Sequence, residues 1–150
     1  MIRNTSNKLP AVYAILHKAY GPQGWWPANT PFEVIVGAIL TQNTAWTNVE
    51  KAIHNLKKAG ALSPRKLKDI DIRSLSRMIR PAGYYNIKAK RLKNFISFFY
   101  TRYGGSVKNL SSENSGSLRK ILLGVNGIGP ETCDSIMLYA LKKKAFDWKS

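Results

Sequence analysis

Gly124-Val125-Asn126-Gly127-Ile128-Gly129-Pro130-Glu131-Thr132 stands between a short apolar-periodic run, Leu118 to Leu123, and a longer one, Pro130 to Leu141. The order hydrophobic-x-Gly-hydrophobic-Gly predicts a helix-hairpin-helix over about residues 118–141. Glycines at 124, 127 and 129 allow positive φ and let an anion approach main-chain N–H groups with no Cβ in the way. Val125 and Ile128 are expected to anchor the turn in a core. Pro130 suits the first turn of the second helix, having no N–H to lose there, and that helix's N-terminus directs partial positive charge at the same anion. An ordinary αα-turn with a glycine C-cap would also account for the glycines. The charge of the whole chain favours the anion site.

That charge is formally +16, from 24 Lys and Arg against 8 Asp and Glu in 150 residues, and the cations are spread along the sequence. Self-repulsion of this size calls for a polyanionic partner, and nucleic acid fits better than a membrane surface. No run of about 18 apolar residues and no signal-peptide pattern at Met1 is present, so an intracellular protein is expected. Cys133 is the one cysteine, which excludes an intrachain disulfide and any four-cysteine metal or iron-sulfur site built from this sequence.

Working outward, the pattern is helical nearly throughout, with no internal repeat and no convincing strand. Lys8 to Tyr20 reads as a helix ended by Gly21-Pro22-Gln23-Gly24. Trp25 and Trp26 follow, adjacent in a loop of turn-formers. They serve either as a lid over the core or as a stacking platform for a nucleobase. Thr30-Pro31-Phe32-Glu33 has the N-cap, the first-turn proline and the capping-box glutamate of a helix start, and the helix continues apolar almost all round to Leu40. Thr41-Gln42-Asn43-Thr44 breaks it abruptly. These polar residues either cap the two neighbouring helices or hold Gln42 out on a rigid platform, able to hydrogen-bond inside a DNA stack.

A helix from Trp46 to Gly60 comes next, then two short helices opened by Ser63-Pro64 and Asp71, and a break at Arg80-Pro81. Gly83-Tyr84-Tyr85-Asn86-Ile87-Lys88-Ala89-Lys90-Arg91 reads as a tyrosine-rich turn feeding a basic helix start. Cations there oppose the macrodipole. Tyr85, Asn86, Lys88 and Lys90 form either a phosphate-and-sugar contact mix or a solvated face. Gly104-Gly105 ends that helix, and Ser111 to Ser117 is expected to be a polar connection.

Taken together, Pro31 to Thr44, Gly83 to Lys90 and the hairpin resemble the endonuclease III-related DNA glycosylases of the helix-hairpin-helix superfamily (HhH-GPD). The resemblance covers roughly residues 8–145. It implies an all-α, two-lobed fold that grips damaged double-stranded DNA and rotates a base out for N-glycosidic cleavage in base-excision repair. In that comparison Gln42, with Asn43 beside it, fills the hole left by the flipped nucleotide. Val125, Gly127 and Gly129 belong to the phosphate-binding hairpin, where a monovalent cation is also implied. Glu131 stands where bifunctional members carry a Schiff-base lysine. A carboxylate cannot act as that amine, so monofunctional hydrolysis is implied, closest to members acting on alkylated purines such as 3-methyladenine. Trp25, Trp26, Trp46 and Glu131 would then form the base pocket, an indole face suiting a cationic methylated purine.

The family's catalytic aspartate lies on an apolar segment that leads into another helix. Asp147 follows Lys142-Lys143-Lys144 without that apolar lead and is not assigned to the role. The expectation is a single glycosylase domain over 1–150, incomplete at its C-terminus, with the last helices and the cysteine-cluster loop absent. The competing expectation is a non-catalytic DNA-binding remnant of such an enzyme.

Overall fold

A computed structural model describes residues 30–143. The expected first helix, Trp25, Trp26 and Asp147 lie outside the described residues. Within them the chain is all α, with no strand.

The central element is α1, Pro31–Leu40, in which every residue from Phe32 onward is buried. Thr30 begins it as expected, its Oγ1 accepting from the Glu33 N–H at 3.2 Å. The Glu33 carboxylate is buried with the helix and pairs with Lys57 at 3.3 Å. A turn with Asn43 at φ +54 leads to α2, Trp46–Lys58, which buries Val49, Ala52, Ile53 and Leu56 at helical spacing. Two short helices follow, α3 at Pro64–Asp69 and α4 at Ile72–Met78, capped by the Ser63 and Asp71 side chains. A single 3₁₀ turn, Arg80–Ala82, ends this part of the chain.

The longest helix, α5, spans Tyr85–Tyr103 and stops at Gly104 in the left-handed conformation, φ +61. Its inner face stacks Phe99 on Phe32, rings 6.2 Å apart and nearly parallel. Its outer reach carries Lys93, whose ammonium donates to the carbonyls of Leu67 at 2.8 Å and Lys68 at 3.1 Å, closing the end of α3.

The expected polar connection at 111–117 is more ordered than its composition suggests. Ser106 caps a short helix α6, Val107–Ser111, that seats Leu110 in the core. Asn114 then caps α7, Ser115–Leu123, its Oδ1 accepting from Ser117 N–H at 3.1 Å. After the hairpin, α8 runs Pro130–Ser135 and does not continue as the plain α-helix expected to Leu141. It widens into a π turn, Ile136–Ala140, where the Leu141 N–H reaches back to the Ile136 carbonyl at 3.0 Å. That turn packs against α1, so the hairpin and the central helix share one core.

Candidate nucleic-acid interface

Val125 and Ile128 are buried and hold the hairpin down, and the Ile128 N–H closes the turn onto the Val125 carbonyl at 3.0 Å. Of the three hairpin glycines only Gly127 has positive φ, at +103. Gly124 and Gly129 sit at φ −78 and −90, so left-handed freedom is not what residue 124 or 129 supplies. At Gly129 a Cβ would meet nothing within 4 Å: its place is in open space beside the hairpin. The N–H groups of Gly127 and Gly129 donate to no protein group among the described residues. Uncommitted N–H groups at a helix N-terminus are the physical basis of anion binding.

This hairpin forms one wall of an open groove of about 590 Å³, whose lining includes Gln42, Asn43, Arg91, Gly127, Gly129 and Glu131. Four of the residues singled out from the sequence as DNA contacts, Gln42, Asn43, Gly127 and Gly129, are thus brought together, with Glu131 at the same rim. Gln42 is docked on the hairpin. Its Nε2 donates to the Gly127 carbonyl at 3.3 Å and to Thr132 Oγ1 at 2.9 Å, and its Oε1 accepts from the Arg91 guanidinium. Asn94 adds a second tie, donating to the Asn126 carbonyl at 3.3 Å.

Lys88 requires a correction. Expected as a phosphate contact, it is 1% exposed, and its ammonium donates to the carbonyls of Leu40 at 2.8 Å and Ala82 at 2.9 Å. A cation closed over in this way has no reach to DNA. It completes the end of α1, whose last carbonyls lack helical partners. Burial, with the nearby Arg91 charge, pulls its pKa down to about 8. The other residues of that segment differ among themselves: Asn86 and Lys90 are exposed, whereas Tyr85 is half-buried with Arg80 over its ring at 5.3 Å.

Trp46 stands at the start of α2, half-buried against the core, and does not line this groove.

Sequence reasoning missed three residues here. Arg91 and Asn94 follow Lys88 at intervals of three, the spacing that puts side chains on one face of a helix, and that face of α5 meets the hairpin and the end of α1. Tyr84 is the third. It is 65% exposed and left-handed at φ +46, an aromatic side chain presented to solvent on a backbone that L-residues avoid.

Behind the hairpin two titratable groups are structural. Asp134 pairs with Arg119, tying α8 to α7, and burial raises its pKa against the opposing pull of that guanidinium. Burial pushes the Cys133 thiol up to about 12. Among the described residues no cluster of metal-ligating side chains occurs, and no helix is long and apolar enough to cross a membrane.

Comparison with known proteins places these features in a wider set. The family described as HhH-GPD superfamily base excision DNA repair protein matches residues 36–130. A protein of Methanocaldococcus jannaschii assigned as a DNA repair glycosylase is 48% identical over 147 residues, 97% of this chain and 67% of its own length. The endonuclease III of Thermotoga maritima is 29% identical over 115 residues, 77% of this chain and 50% of its own. Among solved structures, the H. pylori 3-methyladenine DNA glycosylase MagIII bound to 1,N6-ethenoadenine superposes with a TM-score of 0.74 at 34% identity, covering 91% of this chain and 65% of that one. The chain therefore spans about two thirds of the length of two of these relatives and half of the third.

Proposed function

The chain belongs to the HhH-GPD superfamily of base excision DNA repair proteins, and on that premise we propose that it binds duplex DNA and hydrolyses the N-glycosidic bond of a damaged base rotated out of the helix. The observation that carries this reading is the groove. Two uncommitted hairpin N–H groups, the guanidinium of Arg91 and the amide of Gln42 converge on one concave surface, with a carboxylate at residue 131 instead of an amine.

Each part has a physical task. The Gly127 and Gly129 N–H groups take a backbone phosphate, positioning the duplex without reading its sequence. Gln42, once free of the hairpin, offers an amide able to donate and accept in the gap left by the extruded base. Tyr84 offers an exposed ring to stack against an opened step. Glu131 cannot form a Schiff base, so the reaction is hydrolysis with no lyase step. Its charge developing on the sugar is of oxocarbenium type and calls for a nearby carboxylate. The preferred substrate in this reading is an alkylated purine. Support comes from the 34% identical MagIII structure, and the indoles of Trp25 and Trp26 would favour a cationic methylated base. Such a protein works inside the cell, on the chromosome.

A second reading, a DNA-binding module without turnover, is favoured by one feature. Glu131 is the one carboxylate that lines the groove among the described residues, while Asp134 is buried against Arg119. Free base released from methylated duplex, scored beside retention of an abasic-site duplex, decides between them. Release is the expected result; retention without release establishes the second reading. No retention of any duplex at low salt overturns both.

A further inference from the structure

Gln42 has no spare donor in the arrangement seen. Both hydrogens of its amide nitrogen are used, one on the Gly127 carbonyl and one on Thr132, and its oxygen is taken by Arg91. A side chain proposed above to enter DNA is thus held by three bonds to the protein. Arg91 is itself set against the hairpin. Its stem lies on Gly127, where a Cβ would come within 2.6 Å of Cγ, and it lines the groove beside the uncommitted Gly127 and Gly129 N–H groups. A guanidinium carries five donors in a planar fork matched to phosphate. Its bond to a neutral amide oxygen is weaker than the charge-assisted bond it would make to a phosphate in the same groove.

We propose that Arg91 is a positioning residue that couples phosphate capture to Gln42: it holds Gln42 docked on the hairpin, and a phosphate bound by the hairpin N–H groups draws the guanidinium away and releases Gln42 into the duplex. The coupling rests on the reading of the hairpin as a phosphate site. It gives Gln42 a reason to be withdrawn until DNA is gripped. It also makes Arg91 act through Gln42 and not on the reacting bond.

The test uses a duplex carrying a tetrahydrofuran abasic analogue with 2-aminopurine opposite it, whose fluorescence rises when a side chain disturbs its stacking. A single neutral methylphosphonate is stepped along the phosphates flanking the analogue. For the unaltered protein one position is expected to lower affinity by about fivefold or more and to abolish the fluorescence rise in the saturated complex. Gln42→Ala should lack the rise with every phosphate intact, which identifies its source. With Arg91→Met the rise should persist whichever phosphate is neutralised, and the affinity penalty should be smaller than in the unaltered protein without vanishing, because the hairpin N–H groups still take that phosphate. Arg91→Lys keeps a charge without the fork, so it should keep the affinity penalty but lose the dependence of the rise on phosphate. Thermal melts check that the variants fold, and Arg91→Lys carries the comparison if Arg91→Met does not. Equal dependence of the rise on that phosphate in the unaltered protein and the folded Arg91 variants overturns the coupling while leaving DNA binding intact. Failure of the unaltered protein to bind any duplex overturns the phosphate reading and the coupling together.

Discussion

The stem of Arg91 occupies the space that a side chain on residue 127 would need, and Gly127 itself sits at φ +103. Two independent obstacles therefore oppose any substitution there. Gly127→Ala is expected to cost about 1–2 kcal/mol from backbone strain alone, with more from displacing Arg91. Gly129→Ala meets neither obstacle and should cost less than about 1 kcal/mol as a poorer N-cap, yet it puts a methyl group where the proposed phosphate would approach. Urea denaturation and DNA affinity measured on the pair should separate cleanly: stability falls with the first, binding with both.

Lys88 and Lys90 are neighbours on α5 with opposite fates, one closed over and one exposed. Lys90→Ala should weaken DNA binding and flatten the dependence of log K on log salt by about one phosphate's worth. Lys88→Met, in whatever fraction folds, should leave that slope unchanged. Its effect falls on stability, because the Leu40 and Ala82 carbonyls lose their donor at a cost of about 1–3 kcal/mol each.

The same lysine gives a pH signature. Its folded pKa, about 8, lies below the ordinary 10.5, so between those values the unfolded chain binds more protons than the folded one. Its contribution to stability therefore rises with pH across that window. A neutral amine still has two hydrogens for its two carbonyl partners. The stability difference between the unaltered protein and Lys88→Met should be larger at pH 9.5 than at pH 7.5, measured by urea midpoints.

Cys133 is fully buried with its thiol pushed up to about 12. At pH 8 its thiolate fraction is negligible, so iodoacetamide should label the native protein far more slowly than the urea-unfolded chain. Rapid labelling of the native protein would contradict the packing of α8.

Tyr84 holds a left-handed backbone at the start of α5 while exposing its ring. Tyr84→Gly relieves the backbone and should match or exceed the unaltered protein in stability by up to about 1 kcal/mol. The same variant should bind an abasic-site duplex less tightly. A gain in stability paired with a loss in binding is the mark of strain kept for a partner.

Much of the fold was legible because local chemistry and burial agreed. Thr30, Pro31 and the apolar run to Leu40 specify α1 without outside help, and Gly104 marks the end of α5 by taking the left-handed conformation that other residues avoid. The hairpin anchors Val125 and Ile128 were legible for the same reason. What escaped was set by topology. Asn114 carries a cap inside the segment read as a polar connection, and Ser106 carries one just ahead of it, because a capping oxygen and a loop oxygen look alike in sequence. Lys88 reads as a surface cation, and only the placement of the Leu40 and Ala82 carbonyls around it shows otherwise. The docking of Gln42 on Gly127 and Thr132 joins residues far apart in the chain, and no local pattern records it.

The π turn at Ile136–Ala140 adds one residue to a helical turn. A single residue advances a helix by roughly 100°, so removing one within the turn would swing Leu141, buried in the core, away from the place it fills there. The extra residue is thus what lets Leu141, and not the lysine that follows it, close the core at this end.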